Sequence, residues 1–469
     1  SPTQTTMTFR GYWFADSNQW FAGEKYDKII VDKFRHLIVY YESIDVNSET
    51  YNMNEYIERI LICDQFSRHY DRIHYSRFSD TMSDEAVEMT NYILEYAYED
   101  FASLTPEEQC FILLPLRHTR KLPLIEKSIQ QIDMLIEPYC TGEDNIPPIY
   151  LRFYKASLES WAVEMKVTHY PSTDSVPFPG RPGLLDKECG FDVDVPIGIN
   201  RTTKSPHPIP PEWEESVNRI VPNDKNIIIS LSGGGDSMTG SYLLNQNHKI
   251  TAVMIDYGNR DECSDEVQMV HWWCSQLGIE LYVAHITVIQ RNNRNRTGKL
   301  REIYESITRT MRFNAYKQVS ELIEADMPRV ALIHNKDDGF ENIIANLIKK
   351  RSMHNPKQMK ESHEENGVMI YRPLKDVPKD KITEFLQNIN GPYLSASTPE
   401  WSFRGRTRKE LVTALNSFDE KLIQGIEHLA DIVESISQKY FAMLPKFAAI
   451  TPKTMEIQLS KKSKTEVIN

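Results

Sequence analysis

The sequence predicts two architectures in one chain: an all-α N-terminal domain, then an α/β domain with a parallel, doubly wound sheet. Three observations carry this prediction. Apolar residues recur at helical spacing through the first 140 positions, strand-like runs alternate with helical ones from about 212 to 420, and a proline-dense stretch separates the two regions. At 469 residues the chain exceeds a single compact core, so two or three domains are expected.

Within residues 7–140, Ile29, Val31, Phe34, Leu37 and Ile38 mark one helix, and Met53 to Phe66 and Asp84 to Phe101 repeat the pattern. Another helix begins at Leu104-Thr105-Pro106-Glu107-Glu108, with Thr105 as N-cap and Pro106 in the first turn. Trp13, Phe14, Trp20 and Phe21 read as core or interhelix packing rather than as a base-stacking platform. Asp64, Arg68, Arg117 and His118 read equally as a buried ion network or a ligand site.

Residues 141–224 read as a linker with one helix, Leu151 to Val167. Ten prolines between Pro171 and Pro222 leave little room for other regular structure, although such chain is stiff enough to pack along its neighbours. The α/β domain, 225–418, has expected strands at Ile227–Leu231, Ile250–Asp256, Glu280–His285 and Val330–His334, with helices Ser264–Leu277 and about Leu300–Ala325 between them. Ligands in such sheets bind at the carboxyl ends of strands, so Ser232, Asp256 and His334 should converge. Residues 419–469 hold a helix and a polar tail. Leu422, Ile426, Leu429, Val433, Ile436 and Tyr440 form a seam expected to pack on this chain, with a second copy as the other partner such a seam allows.

Composition narrows the function. A net charge of −12 excludes a uniformly basic surface, so a nucleic acid would need local basic patches. No run of eighteen apolar residues occurs, the start Ser1-Pro2-Thr3-Gln4 lacks a leader pattern, and cytoplasm is the expected compartment. Six dispersed cysteines without a Cys-x-x-Cys pair argue against a disulfide framework or structural zinc.

Ser232-Gly233-Gly234-Gly235-Asp236-Ser237 follows a β-branched run and precedes Met238, Tyr242 and Leu243 at helical spacing. Strand, glycine turn and helix start together make an anion cradle, because first-turn amides lack internal partners and glycine lets the backbone approach phosphate. The spacing is neither that of a Walker loop nor that of a dinucleotide fingerprint.

Ser-Gly-Gly-Gly-Asp-Ser resembles the signature of the PP-loop, or N-type, ATP pyrophosphatases, with an adenine nucleotide alpha hydrolase-like fold. Later segments resemble tRNA(Ile)-lysidine synthetases: Ile255-Asp256-Tyr257-Gly258-Asn259-Arg260, the arginine helix Arg309 to Tyr316, His334 to Asn342, Arg372-Pro373-Leu374, and Ser397 to Trp401 with Arg404 to Arg408. The departures are Asn342 for Thr, Gly405 for Asn and Thr398 for Asp. This likeness implies ATP and Mg²⁺, adenylation of a carbonyl on a tRNA base with release of pyrophosphate, and attack by an amine or amino acid that displaces AMP. It assigns Ser232, Gly233, Gly234, Gly235, Asp236, Ser237, Asp256 and His334 to the nucleotide. Asp236 and Asp337 would hold the metal, and Asp236, Asp337, Asp338 and Arg312 would act in the chemistry, where an acidic pair could also bind the amine. His334 otherwise simply ends a strand, and Glu341 reads first as a brace of its helix.

For tRNA the first choices are Arg291, Arg294, Arg296 and Lys299, a basic loop on an acidic protein, and the second choices are Lys349-Lys350-Arg351 and Arg404, Arg406 and Arg408. The alternatives are tRNA 2-thiolation, for which a Cys-x-x-Cys pair is expected and absent, a small-metabolite amide or thio ligase, and a non-catalytic nucleotide-binding interaction protein. In the N-terminal domain, Phe9-Arg10-Gly11-Tyr12-Trp13-Phe14, Trp20-Phe21, Asp64-Gln65-Phe66-Ser67-Arg68 and Leu114-Pro115-Leu116-Arg117-His118 resemble a bacterial family of tetratricopeptide-like helical domains without assigned function. That resemblance implies a fold and a surface for a protein partner.

Overall fold

The computed structural model describes residues 8–15, 20, 24–37, 52–140, 145–173, 175–180, 183–186, 189–194, 208–259, 263–289, 298–351, 355–394, 403–419 and 421–443. They form two compact units. The first comprises Ser1–Val167 with Tyr257–Asn259 and Ala284–Ala315; the second comprises Thr168–Asp256, Arg260–Val283 and Tyr316–Asn469. No helix among the described residues is long and apolar enough to cross a membrane.

The first unit opens with helices α1 (Phe9–Ala15), α2 (Glu24–Phe34), α3 (Met53–Ile60), α4 (Ser67–His74), α5 (Phe78–Tyr96) and α6 (Tyr98–Ala102). It continues with α7 (Pro106–His118), α8 (Leu122–Ile136) and α9 (Pro148–Glu164). Thr105 caps α7 as expected: its side chain accepts from the Glu108 amide, and the Glu108 carboxylate accepts from the Thr105 amide, a reciprocal capping box. The aromatic motif is core. Trp13 is fully buried and meets Phe111 edge-on at 5.6 Å, while Phe9 meets Phe34 at 4.9 Å and Phe66 at 5.7 Å. Phe21 lies outside the described residues. Between α3 and α4 the chain makes a π-helical turn, Leu61–Phe66, in which the Ser67 amide reaches back to Ile62 O.

The second unit is built on a seven-stranded sheet, β1 (Thr168–Tyr170), β2 (Ile227–Ser230), β3 (Ile250–Asp256), β4 (Leu281–His285), β5 (Arg329–Ala331), β6 (Ser362–Glu365) and β7 (Val368–Tyr371). Their order is β1-β4-β3-β2-β5-β7-β6. The pairs β2–β3, β2–β5 and β5–β7 are parallel, with Ile228 facing both Thr251 and Val330. Both edges are antiparallel, β1 on β4 and β6 on β7. The sheet is therefore mostly parallel, with α10 (Pro211–Ile220), α11 (Gly235–Leu244), α12 (Cys263–Leu277), α14 (Lys336–Ile348) and α15 (Lys379–Asn388) in the same unit. α13 is Gly298–Leu322. Ile227, Ile229, Leu231, Met238, Tyr242 and Trp273 are almost wholly buried in one continuous core. At roughly 2 kcal/mol for each large side chain removed from water, this core dominates the unit's stability.

Three strands and several helices, α8, α10 and α15 among them, were not expected. β1, β6 and β7 are only three or four residues long, too short for an alternation pattern to stand out. α10 hides behind its prolines: Pro210 precedes the helix and Pro211 begins it, where a missing amide costs nothing. Val330–His334 is strand only to Ala331; the Leu332 amide then bonds to Tyr371 O and the chain turns.

The stretch expected to act as a linker carries α9 into the first unit and β1 and α10 into the second. Leu184, Cys189, Trp213 and Val217 belong to the second unit's core, and Phe178 and Phe191 pack on Trp272 at 5.0 and 5.6 Å.

The apolar seam of the last described helix, α16 (Lys421–Met443), does not face inward. Leu429 is 61% exposed and Ile436 62%, whereas Glu427 and Ala430 are buried. Two ion pairs join the helix to the unit: Lys336 with Glu427 at 3.2 Å, and Lys357 with Asp431 at 2.5 Å. The polar tail, 460–464, lies outside the described residues.

Candidate active site

β2 delivers the chain to the glycine turn at the carboxyl end of a central parallel strand. Gly233 adopts φ +77, and a Cβ there would stand 2.4 Å from Leu394 Cδ1, so this position requires glycine. Gly233 O accepts from the Leu394 amide at 2.9 Å, which ties the turn to the segment after α15. α11 then starts at Gly235, and its first internal bond runs from the Met238 amide to Gly234 O. Among the described residues, the amides of Gly235, Asp236 and Ser237 consequently have no acceptor.

The two serines differ. Ser232 is exposed, and its hydroxyl accepts weakly from the Gly234 amide at 3.4 Å. Ser237 is buried; its hydroxyl accepts from the Ser232 amide at 3.1 Å and donates to Gly234 O at 3.0 Å. Ser237 therefore shapes the loop from inside, while Ser232 remains accessible to a ligand.

Asp236 Oδ2 is 3.3 Å from Lys379 Nζ, whereas its Oδ1 is buried with no hydrogen-bond partner among the described residues. A buried carboxylate oxygen without a donor is costly unless a ligand completes it. Lys379 also links to Asp337, because its backbone amide lies 3.4 Å from Asp337 Oδ1. Asp337 is exposed at the start of α14 and Asp338 is buried.

The neighbouring acids have different duties. Asp338 Oδ2 accepts from the Asn335 amide at 3.1 Å while Asn335 Oδ1 accepts from the Asp338 amide at 3.0 Å, a capping box for α14. Its other oxygen is 3.3 Å from Arg408 Nη2. Glu341, one turn on, is almost fully buried and accepts from Arg408 Nε, with Arg404 Nε at 3.6 Å from its second oxygen. Burial pushes the Glu341 carboxyl above its usual range despite the Arg408 guanidinium. Asn342 donates to Lys357 O at 2.9 Å, bracing the segment before β6.

His334 accepts on Nδ1 from Arg372 Nε at 2.8 Å, which puts its ring proton on Nε2. Arg372 is buried and also donates to Lys360 O. The Arg-Pro-Leu segment thus orients His334. Asp256 ends β3, half-buried.

Arg312 belongs to the first unit, where its Nη2 donates to Tyr257 OH at 2.7 Å; Lys299 is there too, exposed. Arg406 is mostly exposed and pairs with Glu410 at 3.4 Å. Arg291, Arg294 and Arg296, like Ser397 to Trp401, lie outside the described residues. Sequence reasoning missed Lys379, whose signal was a lysine just inside the proline-initiated α15, five residues after Leu374. It also missed Gly240, where a Cβ would stand 2.2 Å from Ile333.

These features together define an adenine nucleotide alpha hydrolase-like fold: a mostly parallel sheet whose central strand ends in a glycine turn with open first-turn amides. Residues 210–415 match the family model described as PP-loop domain. Residues 9–172 match a family described as bacterial protein of unknown function. Among curated proteins the chain is similar to a tRNA(Ile)-lysidine synthase of Chlamydia caviae, 27% identical over 217 residues, which cover 45% of this chain and 65% of that protein. A tRNA(Ile)-lysidine synthase of Staphylococcus aureus is 24% identical over 238 residues, covering 48% of this chain and 53% of that one. The chain thus spans between half and two thirds of these relatives' length. A solved structure of the U34-tRNA thiolase NcsA from Methanococcus maripaludis, with its 4Fe-4S cluster, aligns at 22% identity and a TM-score of 0.37, covering 47% of this chain and 79% of that one.

The donor set fits Mg²⁺. A hard cation that shares phosphate oxygens takes only one or two carboxylates, and Asp236 has a buried oxygen without a donor. Among the described residues no group of three or more acidic, histidine or cysteine side chains is arranged to hold a metal without such sharing.

Proposed function

We propose that the second unit adenylates a carbonyl of a tRNA base with ATP and Mg²⁺, and that an amine, in the manner of the tRNA(Ile)-lysidine synthases it resembles, then takes the place of AMP. The observation that carries this reading is the cradle of three open amides at Gly235, Asp236 and Ser237 beside the unpartnered Asp236 oxygen. In the first step a carbonyl oxygen bonds to the α-phosphorus and the bond from that phosphorus to the β-phosphate oxygen breaks. The open amides and Ser232 take up charge on the departing pyrophosphate. Lys379 holds Asp236 in place and adds a positive charge to the phosphate side of the cradle. Mg²⁺, held by Asp236 and Asp337, would neutralise phosphate oxygens.

In the second step the amine nitrogen bonds to the activated carbon, the bond from that carbon to the original oxygen breaks so that AMP leaves carrying that oxygen, and the nitrogen loses a proton. Asp338 and Glu341 form the acidic pair suited to an ammonium co-substrate, with Arg408 occupying part of it in this structure. Asp256 and His334 flank the nucleotide in this reading. Arg312 and Lys299, with Arg291, Arg294, Arg296, Arg404 and Arg406, are the proposed phosphate contacts to RNA, and a cytoplasmic site follows from such a substrate.

The test uses the purified protein, ATP, Mg²⁺, bulk tRNA and mixed amino acids. AMP and pyrophosphate should accumulate in equal amounts, the release should be abolished by RNase, and nucleoside mass spectrometry should find a mass gain absent with Asp236→Asn. Release that survives RNase would move the acceptor to a small metabolite; no release at all would sink the reading.

A further inference from the structure

The buried guanidinium of Arg372 touches two imidazoles, that of His334 and that of His363. Strand pairing brings the second one in. His363 on β6 stands opposite Ile370 on β7, and the Arg372 amide bonds to Glu361 O at 2.8 Å, so His363 and Arg372 are diagonal neighbours on one face of the hairpin. Arg372 Nη1 lies 3.1 Å from His363 Nδ1 and donates to Lys360 O, also at 3.1 Å, while its Nε donates to His334 Nδ1 at 2.8 Å.

A guanidinium offers only donors and keeps its proton in proteins. Both Nδ1 atoms must therefore accept, which leaves each ring neutral with its proton on Nε2. His363 Nε2 lies 3.5 Å from Glu365 Oε2. Burial and then Arg372 disfavour a second proton on His363, Glu365 favours one, and Lys360 adds to the opposition; together they hold its pKa below the ordinary histidine value. A proton on Nδ1 would set one donor against another at this short distance and place a like charge beside the guanidinium. Arg372 would lose an acceptor and be pushed away, and His334 would lose the bond that orients it.

We infer that His363 is a positioning residue for the nucleotide site: as a neutral acceptor it holds Arg372, and through Arg372 it fixes the ring and tautomer of His334. The inference rests on the placement of His334 beside the nucleotide proposed above. It goes beyond packing, because an apolar side chain would fill the same space and still leave Arg372 one acceptor short.

Two readouts on the full chain test it. Long-range ¹H–¹⁵N spectra of histidine-labelled protein, with signals assigned by their loss in His334→Asn and His363→Asn, report the tautomers without any turnover. Near neutral pH both rings should carry the proton on Nε2. The His334 Nδ1 signal should move in His363→Leu and stay near its wild-type position in His363→Asn, which keeps an acceptor where Nδ1 was. On acidification the His334 signals should follow the titration of His363, and that inflection should vanish in His363→Asn. ATP-dependent pyrophosphate release should fall about tenfold in His363→Leu, the scale of one hydrogen bond to a charged group, and be restored in His363→Asn. A proton on Nδ1 of either ring near neutral pH, or His334 signals indifferent to His363→Leu, would overturn the proposal, as would full pyrophosphate release from that variant. If the wild type releases no pyrophosphate, the adenylation reading fails, and the His334 signals still decide whether His363 positions that ring.

Discussion

Two carboxylates, Asp236 and Asp64, each sit beside a helical turn and each face a cation, yet they are finished to different degrees. Asp64 is closed: both oxygens have donors, and its carboxyl lies below the usual aspartate range because His118, Arg68 and Gln65 together outweigh its burial. Asp236 is open: among the described residues one oxygen has a lysine at 3.3 Å, the other has no hydrogen-bond partner, and three backbone amides beside it have no acceptor. The difference separates structure from function. A saturated buried charge holds its neighbours in place, whereas an unsaturated one beside idle donors is a site awaiting charge.

The comparison predicts opposite failures. Asp236→Asn should lower ATP-dependent pyrophosphate release by about 10² to 10³-fold, the scale of losing one electrostatic group in a preorganised site. Its thermal midpoint should stay close to wild type, since the change removes no donor's only partner except that of Lys379, which is 40% exposed. Parallel activity and melting curves check this. A large loss of stability with Asp236→Asn would break the distinction.

Asp64→Asn should fail the other way, destabilising the protein by about 3 kcal/mol because Arg68 and His118 lose their shared acceptor in a mostly buried setting. The sign with pH follows from the lowered pKa. An acid held below its unfolded value of about 3.9 stabilises the native state fully above that pH and loses the contribution as pH falls through the folded value. Melting temperature against pH should therefore fall below about pH 4 in the wild type, and less steeply in Asp64→Asn.

Gly233→Ala tests why the open site needs its loop. The new methyl group would meet Leu394 Cδ1 at 2.4 Å, and φ +77 is unfavourable for alanine, so a loss of about 2 kcal/mol is expected together with weaker nucleotide binding. Denaturant unfolding gives the first and a fluorescent ATP analogue the second. Gly180, with nothing near its would-be Cβ, is the matched control.

Much of the open site was legible because its chemistry is local. Ser232 to Ser237 encodes strand end, turn and helix start in consecutive residues, and Thr105-Pro106 encodes a helix start the same way. The pairings that finish the site are long-range and left no local mark. Lys379 reaches Asp236 across 143 positions, and Arg408 reaches Glu341 across 67. The hairpin β6–β7 and helix α10 were hidden by shortness and by prolines, and the α16 seam was misread because periodicity marks an apolar stripe without saying which face packs, here the one carrying Glu427 and Ala430. Asp64 could be read as a network or as a ligand site, and only the contacts show its oxygens to be saturated.

The smallest predicted effect bears on the basic patch. Arg406 pairs with Glu410 one turn away, both more than half exposed, and such pairs contribute only a few tenths of a kcal/mol in water. Arg406→Ala should leave stability unchanged within about 0.5 kcal/mol. If this arginine instead serves RNA, the same substitution should weaken tRNA binding and reduce the slope of log affinity against log salt by about one unit, as expected for the loss of one phosphate contact. Arg408 is the contrast on the same stretch: engaged with Asp338 and Glu341, it should destabilise the fold when removed while changing the salt slope little. Filter binding across a salt series with both variants separates a cation kept for RNA from one kept for the protein's own acids.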